Sequence, residues 1–154
     1  MAKSEWAGLS EGQIAKRLGR SLDLAFADGA PVGIGGDAYG LTLVNEDAFV
    51  ALEIETKHNH PAENVLRYWP WLERSRRRLV LLHAIAPDAR RRDGPRTELT
   101  KWLGATMERV LPGRFTYCRI DLGTSEEAAQ VATAKAAIVE LATTELSRKL
   151  APGL

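Results

Sequence analysis

Residues 49–57 read FVALEIETK, an apolar run that carries two glutamates and ends in a lysine. On a β-strand alternate side chains point to the same face, so Glu53, Glu55 and Lys57 share one face and the apolar residues between them share the other. Two carboxylates on an otherwise apolar strand are costly to remove from water unless they have partners or a task. The run therefore predicts a strand with a functional acidic face. The alternative is a half-solvated sheet face on which Glu53 and Glu55 simply pair with basic side chains.

The sequence around this strand alternates between helical and extended patterns. Apolar periodicity and capping patterns predict helices at about 10–27, 61–75, 95–111 and 124–149, and strands at 32–35, 41–44, 78–86 and 115–122. The linkers between the first three strands are too short for helical crossovers, so these strands are expected to pair antiparallel. The order predicts an α/β domain with a mixed central sheet and helices on both faces, in three layers.

Bulk composition suits a single domain spanning residues 1–154. No apolar run approaches the roughly 20 residues that span a bilayer, and the N-terminus lacks a secretory signal, so we expect a cytoplasmic protein without a membrane partner. The one cysteine, Cys118, is expected to be a buried strand residue. The net charge of +1 includes two arginine clusters, at 74–78 and 90–96, which either contact phosphates or form a solvated rim.

A further acidic residue precedes the acidic strand, in the stretch GGDAYG (35–40). The glycine pair lets the backbone bend, so that Asp37 is expected to aim its carboxylate toward Glu53 and Glu55. Two or three carboxylate oxygens that converge in this way suit Mg²⁺, which keeps several waters, or Mn²⁺. Such an ion activates water and stabilises charge on a phosphate under attack, while Lys57 nearby would orient the water or neutralise the phosphate. The pattern predicts a catalytic group of Asp37, Glu53, Glu55 and Lys57.

Asp37 is followed 16 residues later by Glu-x-Glu, or 18 residues later by Glu-x-Lys, on an apolar strand. This arrangement resembles the PD-(D/E)XK, or restriction-endonuclease-like, nuclease superfamily. The resemblance covers roughly the first 90 residues and implies a three-layer restriction-endonuclease-like fold. Its αβββαβ core would be extended here by an additional α-β-α. Two registers remain open: Glu53 and Glu55 fill the motif, or Glu55 and Lys57 do. In both registers Asp37 is the first acid, although Gly36 precedes it in place of proline.

The helix after the acidic strand carries a second resemblance, in the stretch NVLRY (64–68). It is similar to the Gln-x-x-x-Tyr motif of helicase-linked repair exonucleases, with Asn64 in place of glutamine. Residues four apart share a helix face, so Asn64 and Tyr68 are expected to face the strand carboxylates and nucleic acid. The implied substrate-binding residues are Asn64, Arg67, Tyr68 and His58. In family terms, Glu11 on the first helix would complete the metal site of Asp37, Glu53 and Glu55.

The remaining polar and aromatic candidates have structural interpretations. His83 lies inside an apolar strand and is expected to be a hydrogen-bonded core histidine. Helical spacing places Trp69 and Trp102 in the packed core. Tyr68 and Trp71 fall off that face and are the more open candidates for stacking on bases.

These observations lead to two hypotheses from different classes. The first is a Mg²⁺-dependent or Mn²⁺-dependent nuclease that hydrolyses DNA in repair, restriction or defence, with a homodimer expected because one active site cuts one strand. The second is a nuclease-like fold without catalysis that binds nucleic acid or another protein.

Overall fold

The computed structural model describes residues 5–26, 40–45, 47–57 and 60–150. The helices in this part are α1 (Glu11–Leu22), α2 (Pro61–Leu66), α3 (Tyr68–Glu73), α4 (Pro87–Val110) and α5 (Glu127–Leu150). The strands are β1 (Gly40–Asn45), β2 (Ala48–Glu55), β3 (Arg78–Ile85) and β4 (Phe115–Asp121). The predicted α/β class is confirmed. The strand predicted at 32–35 and the predicted ligand Asp37 lie outside the described residues.

The strands form one sheet in the order β1-β2-β3-β4. β1 runs antiparallel to β2, while β2, β3 and β4 are parallel to one another. The register places Glu53 beside His83 and His83 beside Arg119, so three ionisable side chains stand in one row across the parallel strands. A row of this kind, in strands that are otherwise apolar, locates the candidate site near the carboxyl ends of these strands.

Apolar side chains fill the space on both faces of the sheet. One cluster joins Val50, Leu52 and Ile54 of β2 to α1 and α5. The other joins Ala51 of β2 to α2, α3 and α4, including the buried Met107. Since side chains alternate along a strand, Glu53 and Glu55 lie on the same face as Ala51. The acids therefore point toward α2, α3 and α4.

The first helix is capped at both ends by local side-chain and backbone bonds. The predicted capping box is confirmed, because Ser10 Oγ accepts from the Gln13 backbone N–H and the Gln13 side chain accepts from the Ser10 N–H. The helix ends at Leu22, earlier than predicted, because Asp23 adopts a left-handed conformation with φ of 54°.

Two predicted helices differ from the structure where prolines interrupt the backbone ladder. The helix predicted at 61–75 is divided into α2 and α3 at Arg67, because Pro70 has no N–H to donate to the carbonyl one turn before it. α4 begins at Pro87, ahead of the predicted start at Pro95, and is kinked at Asp93 (φ −140°, ψ 39°). The sequence pattern therefore identified only the second part of α4. Within the described ranges, no helix is both long and apolar enough to cross a membrane.

Candidate functional site

The two strand glutamates are almost completely buried. Glu53 is 3 % exposed and Glu55 is 2 % exposed. The acidic face is therefore not half-solvated, although Glu53 does pair with a basic side chain, as the alternative expected. Because burying a charged carboxylate is unfavourable without partners, each side chain must be stabilised by neighbouring groups.

Glu53 is held by two side chains at the junction of α2 and α3. Its Oε1 accepts a hydrogen bond from the Tyr68 hydroxyl at 2.5 Å and forms an ion pair with the Arg67 guanidinium. Tyr68 is fully buried, and Arg67 also stacks over its ring. Two residues that the resemblance assigns to substrate thus contact a predicted metal ligand in this structure.

The surroundings of Glu53 shift its proton affinity. Burial raises the pKa of the Glu53 carboxyl to about 7, although the hydrogen bonds from Tyr68 and Arg67 act in the opposite direction. Burial and the neighbouring Glu53 also raise the pKa of the Tyr68 hydroxyl, so Tyr68 stays protonated as a donor. Glu53 therefore gains or loses its proton near neutral pH, where a nearby cation would favour its charged form.

The raised pKa of Glu53 makes stability depend on pH in a defined direction. Between about pH 4.5 and 7 the folded chain keeps a proton on Glu53 that the unfolded chain has released. The free energy of unfolding should therefore fall as pH rises through this range, by about 1 kcal/mol per pH unit. Glu53→Gln should flatten this dependence in urea titrations, whereas Glu140→Gln on the exposed side of α5 should leave it unchanged. Equal pH profiles for the two variants would contradict the shift.

Glu55 has a different set of partners. Its Oε1 accepts from Asn64 Nδ2 at 2.7 Å and lies 2.9 Å from His83 Nε2. The predicted orientation of Asn64 and Tyr68 toward the strand carboxylates is confirmed. His83 is fully buried with Nδ1 2.8 Å from the Tyr117 hydroxyl, which confirms the predicted hydrogen-bonded core histidine.

Hydrogen-bond directions determine where the proton of this cluster lies. The Thr100 hydroxyl donates to the Thr97 carbonyl at 2.6 Å, so it accepts from the Tyr117 hydroxyl at 2.9 Å. A hydroxyl has one proton, and Tyr117 therefore accepts from His83 Nδ1. Two bare acceptors would repel each other at the remaining contact, and so Glu55 Oε1 and His83 Nε2 share one proton between them.

The polar chain continues into β4. Arg119 contacts the Thr97 carbonyl and donates from Nε to Asp121 Oδ1 at 2.9 Å, while Asp121 Oδ2 accepts from Gln130 at 2.9 Å. Burial alone would raise the pKa of Asp121, but the Gln130 hydrogen bond and the charge of Arg119 bring it below its usual value. Sequence reasoning missed this extension, for which the signal was the charged pair Arg119 and Asp121 in an otherwise apolar strand.

The other predicted site residues lie beyond the end of β2. Lys57 is exposed and lines a cleft of about 400 Å³ together with Glu11, Thr56 and Asp88. Glu11 Oε1 accepts from the Thr56 hydroxyl at 3.4 Å. Neither strand glutamate lines this cleft. The structure thus brings Glu11 and Lys57 together at a cleft on the α1 side of the sheet, whereas Glu53 and Glu55 point toward α2, α3 and α4, so the predicted grouping of Glu11 with these two acids is wrong.

The two buried acids carry the ligand type that a hard divalent cation prefers, although Arg67, Tyr68, Asn64 and His83 contact their Oε1 atoms in this structure. Glu53 and Glu55 supply carboxylate oxygens, of which Mg²⁺ uses one or two while it keeps several waters. Among the residues that the structure describes, no three Asp, Glu, His or Cys side chains are grouped to hold a metal. Asp37, the predicted third ligand, and His58, a predicted substrate residue, lie outside those residues.

The aromatic predictions were partly wrong. Tyr68 and Trp71 are 0 % and 3 % exposed, because the break at Arg67 changes the helical phase and α3 packs both against the sheet. Trp102, predicted to pack, is 66 % exposed. Trp69 packs partly against the core, as predicted, with Nε1 bonded to Glu73.

The first arginine cluster lies apart from the acids. Arg78 pairs in register with Ala48, five strand residues or about 17 Å from the level of Glu53, and Arg77 stacks over Trp71. In the second cluster, Arg90 donates to the carbonyls of Ile85 and Leu122, which ties the ends of β3 and β4 together. Arg90 therefore has a structural role.

The cysteine prediction is confirmed, since Cys118 is buried among apolar side chains, where burial raises the pKa of its thiol to about 12. No protein-family model matches the chain, and neither a curated protein nor a solved structure shows significant similarity to it.

Proposed function

We propose that the chain has a restriction-endonuclease-like fold and hydrolyses phosphodiester bonds in DNA with Mg²⁺ or Mn²⁺. The observation that carries the proposal is the pair Glu53 and Glu55, buried side by side on one face of β2. Donors from the following helices reach both carboxylates. The element order from α1 to β3 agrees with the αβββαβ core if the strand expected at 32–35 is included.

In this proposal the acids hold the cation and the nearby donors receive the substrate. Glu53, Glu55 and Asp37 would be the ligands, and the bound cation would activate water and offset charge on the phosphate. Because the cation and the Arg67 guanidinium compete for Glu53, Arg67 would become available to a phosphate oxygen. Lys57, exposed in the cleft beyond the strand, would neutralise the scissile region.

Nicking of supercoiled plasmid tests this function directly. The wild-type chain should nick plasmid in the presence of Mg²⁺ or Mn²⁺ and not after addition of EDTA. Asp37→Ala and Glu53→Gln should each reduce the rate by about a hundredfold or more, equivalent to roughly 3 kcal/mol of transition-state stabilisation. Glu140→Gln, which changes an exposed acid of α5, should nick at the wild-type rate.

A second candidate function is supported by the same hydrogen bonds. Both carboxylates have partners within the protein, so neither acid requires a cation to offset its burial. The partners are Arg67, Tyr68, Asn64 and His83. The chain would then be a nuclease-like module that binds nucleic acid or a protein without cleavage. Binding of an oligonucleotide that is insensitive to EDTA and to Asp37→Ala, with no nicking, would favour this function and reject the nuclease.

A further inference from the structure

The outer face of α4 carries large apolar side chains that no part of the described chain covers. Leu99, Trp102 and Val110 are 57 %, 66 % and 50 % exposed. The buried residues of the helix, among them Gly104 and Met107, face the sheet. With 3.6 residues per turn, Trp102 projects opposite to these buried residues, at the centre of the exposed arc. Burial of such a side chain at an interface is strongly favourable, and tryptophan is common at the centre of protein interfaces.

Charged and small residues beside Trp102 make this face complementary to itself. Glu98 precedes Trp102 by about one turn, and Arg109 follows Glu98 by about three turns on the same side of the helix. Ala105 lies between them and is exposed. In an antiparallel pair of α4 helices, one register places Glu98 opposite Arg109 of the second copy. The same register places the Trp102 indole over the small Ala105 of the second copy. Such reciprocal contacts are what a two-fold symmetric dimer requires.

We propose that this face of α4 is the interface of a homodimer in which the two α4 helices pack antiparallel. The mixture of apolar area with paired opposite charges suits a protein surface. The exposed aliphatic side chains Leu99 and Val110 on this face favour a protein partner over a nucleic acid, whose bases stack on aromatic rings. The inference does not depend on the proposed nuclease activity; if that activity holds, the dimer would place two sites on one DNA duplex.

The association state of the full chain tests the interface. Sedimentation velocity over a micromolar concentration series should show a reversible dimer for the wild type. Trp102→Glu should raise the dimer dissociation constant by about 30-fold or more, as expected for a central tryptophan. Val139→Glu is the matched control, because Val139 is 64 % exposed on α5, away from this face, and should dimerise like the wild type.

A charge exchange tests the orientation of the helices. Arg109→Glu should weaken the dimer, since it places two acids opposite each other, and the double variant Glu98→Arg with Arg109→Glu should restore it. Glu98 also contacts Lys101 at 3.1 Å and Arg119 at 3.3 Å, so circular dichroism melts must show that the double variant folds. If it does not fold, Glu98→Gln combined with Arg109→Gln should dimerise more tightly than Arg109→Glu alone.

Several results would overturn the interface. The first is a wild-type chain that stays monomeric throughout the series. The second is an equal change in the dimer dissociation constant for Trp102→Glu and Val139→Glu. The third is a folded double variant that dimerises no more tightly than Arg109→Glu. A monomer that binds single-stranded oligonucleotides through Trp102 would equally reject the dimer in favour of a base-stacking surface.

Discussion

Replacement of His83 by leucine is expected to lower the free energy of unfolding by about 3 kcal/mol, since it removes a hydrogen-bonding partner from two buried polar groups. His83 is fully buried and is the sole link between Glu55 Oε1 and the Tyr117 hydroxyl in the described hydrogen bonds. Leucine fills the space but supplies neither donor. The carboxyl of Glu55 then loses one hydrogen-bonding partner, and the Tyr117 oxygen loses the donor that it accepts from.

Urea denaturation followed by circular dichroism measures this loss. His83→Gln, which retains one donor, should recover part of the stability. In a double-mutant cycle, the combination of Glu55→Gln with His83→Leu should cost less than the two single changes together, because both remove the same contact. A His83→Leu variant as stable as the wild type would show that the shared proton contributes nothing to folding.

Replacement of Gly104 by alanine should destabilise the fold by about 3 kcal/mol, although alanine is normally the better helix former. A Cβ at position 104 would overlap Cδ1 and Cγ of the Tyr117 ring and would lie 2.9 Å from its Cβ. Tyr117 cannot swing aside freely, because its hydroxyl is bonded to both His83 and Thr100. Relief of the overlap would therefore require a shift of α4 or the loss of these hydrogen bonds.

Gly94 provides the matched control within the same helix. A Cβ at position 94 meets no atom within 4 Å, so Gly94→Ala should be neutral or slightly stabilising. Thermal melting of the two variants side by side separates the steric effect from the general effect of adding a methyl group. A Gly104→Ala variant that melts at or above the temperature of Gly94→Ala would mean that Tyr117 adapts at little cost.

The α/β class and most elements could be predicted from local sequence, because apolar periodicity is a local property. The run RLVLLHAI became the central strand β3, buried on both faces as such runs usually are. The helix predictions failed where a single residue interrupts the apolar periodicity. Pro70 divides the helix predicted at 61–75, and Asp93 kinks α4, so its first turns were missed. The predicted end of the first helix, at about residue 27, failed for the same reason, because the left-handed Asp23 ends α1.

The acidic strand and its orientation toward Asn64 and Tyr68 could also be predicted, since strand and helix periodicities alone place these side chains. The contacts from His83 to Tyr117 and Arg119 could not, because they depend on which strands are neighbours and in which register. Trp102 shows the complementary difficulty. Its spacing with Leu99 is typical of the core face of a helix. In the structure Thr97, Thr100 and Gly104 face the core instead, and only the packing of α4 shows this.

The row of polar side chains that crosses β2, β3 and β4 has a consequence for how the sheet opens. If β3 separated from β2 or from β4, a polar side chain of this row would lose its partner on the neighbouring strand and remain in an apolar environment. Local fraying of one strand is therefore unfavourable, and the three should lose their amide protons to solvent together, with one common opening energy. Deuterium uptake near Glu53, His83 and Arg119 should accordingly rise at the same rate, as a single cooperative unit.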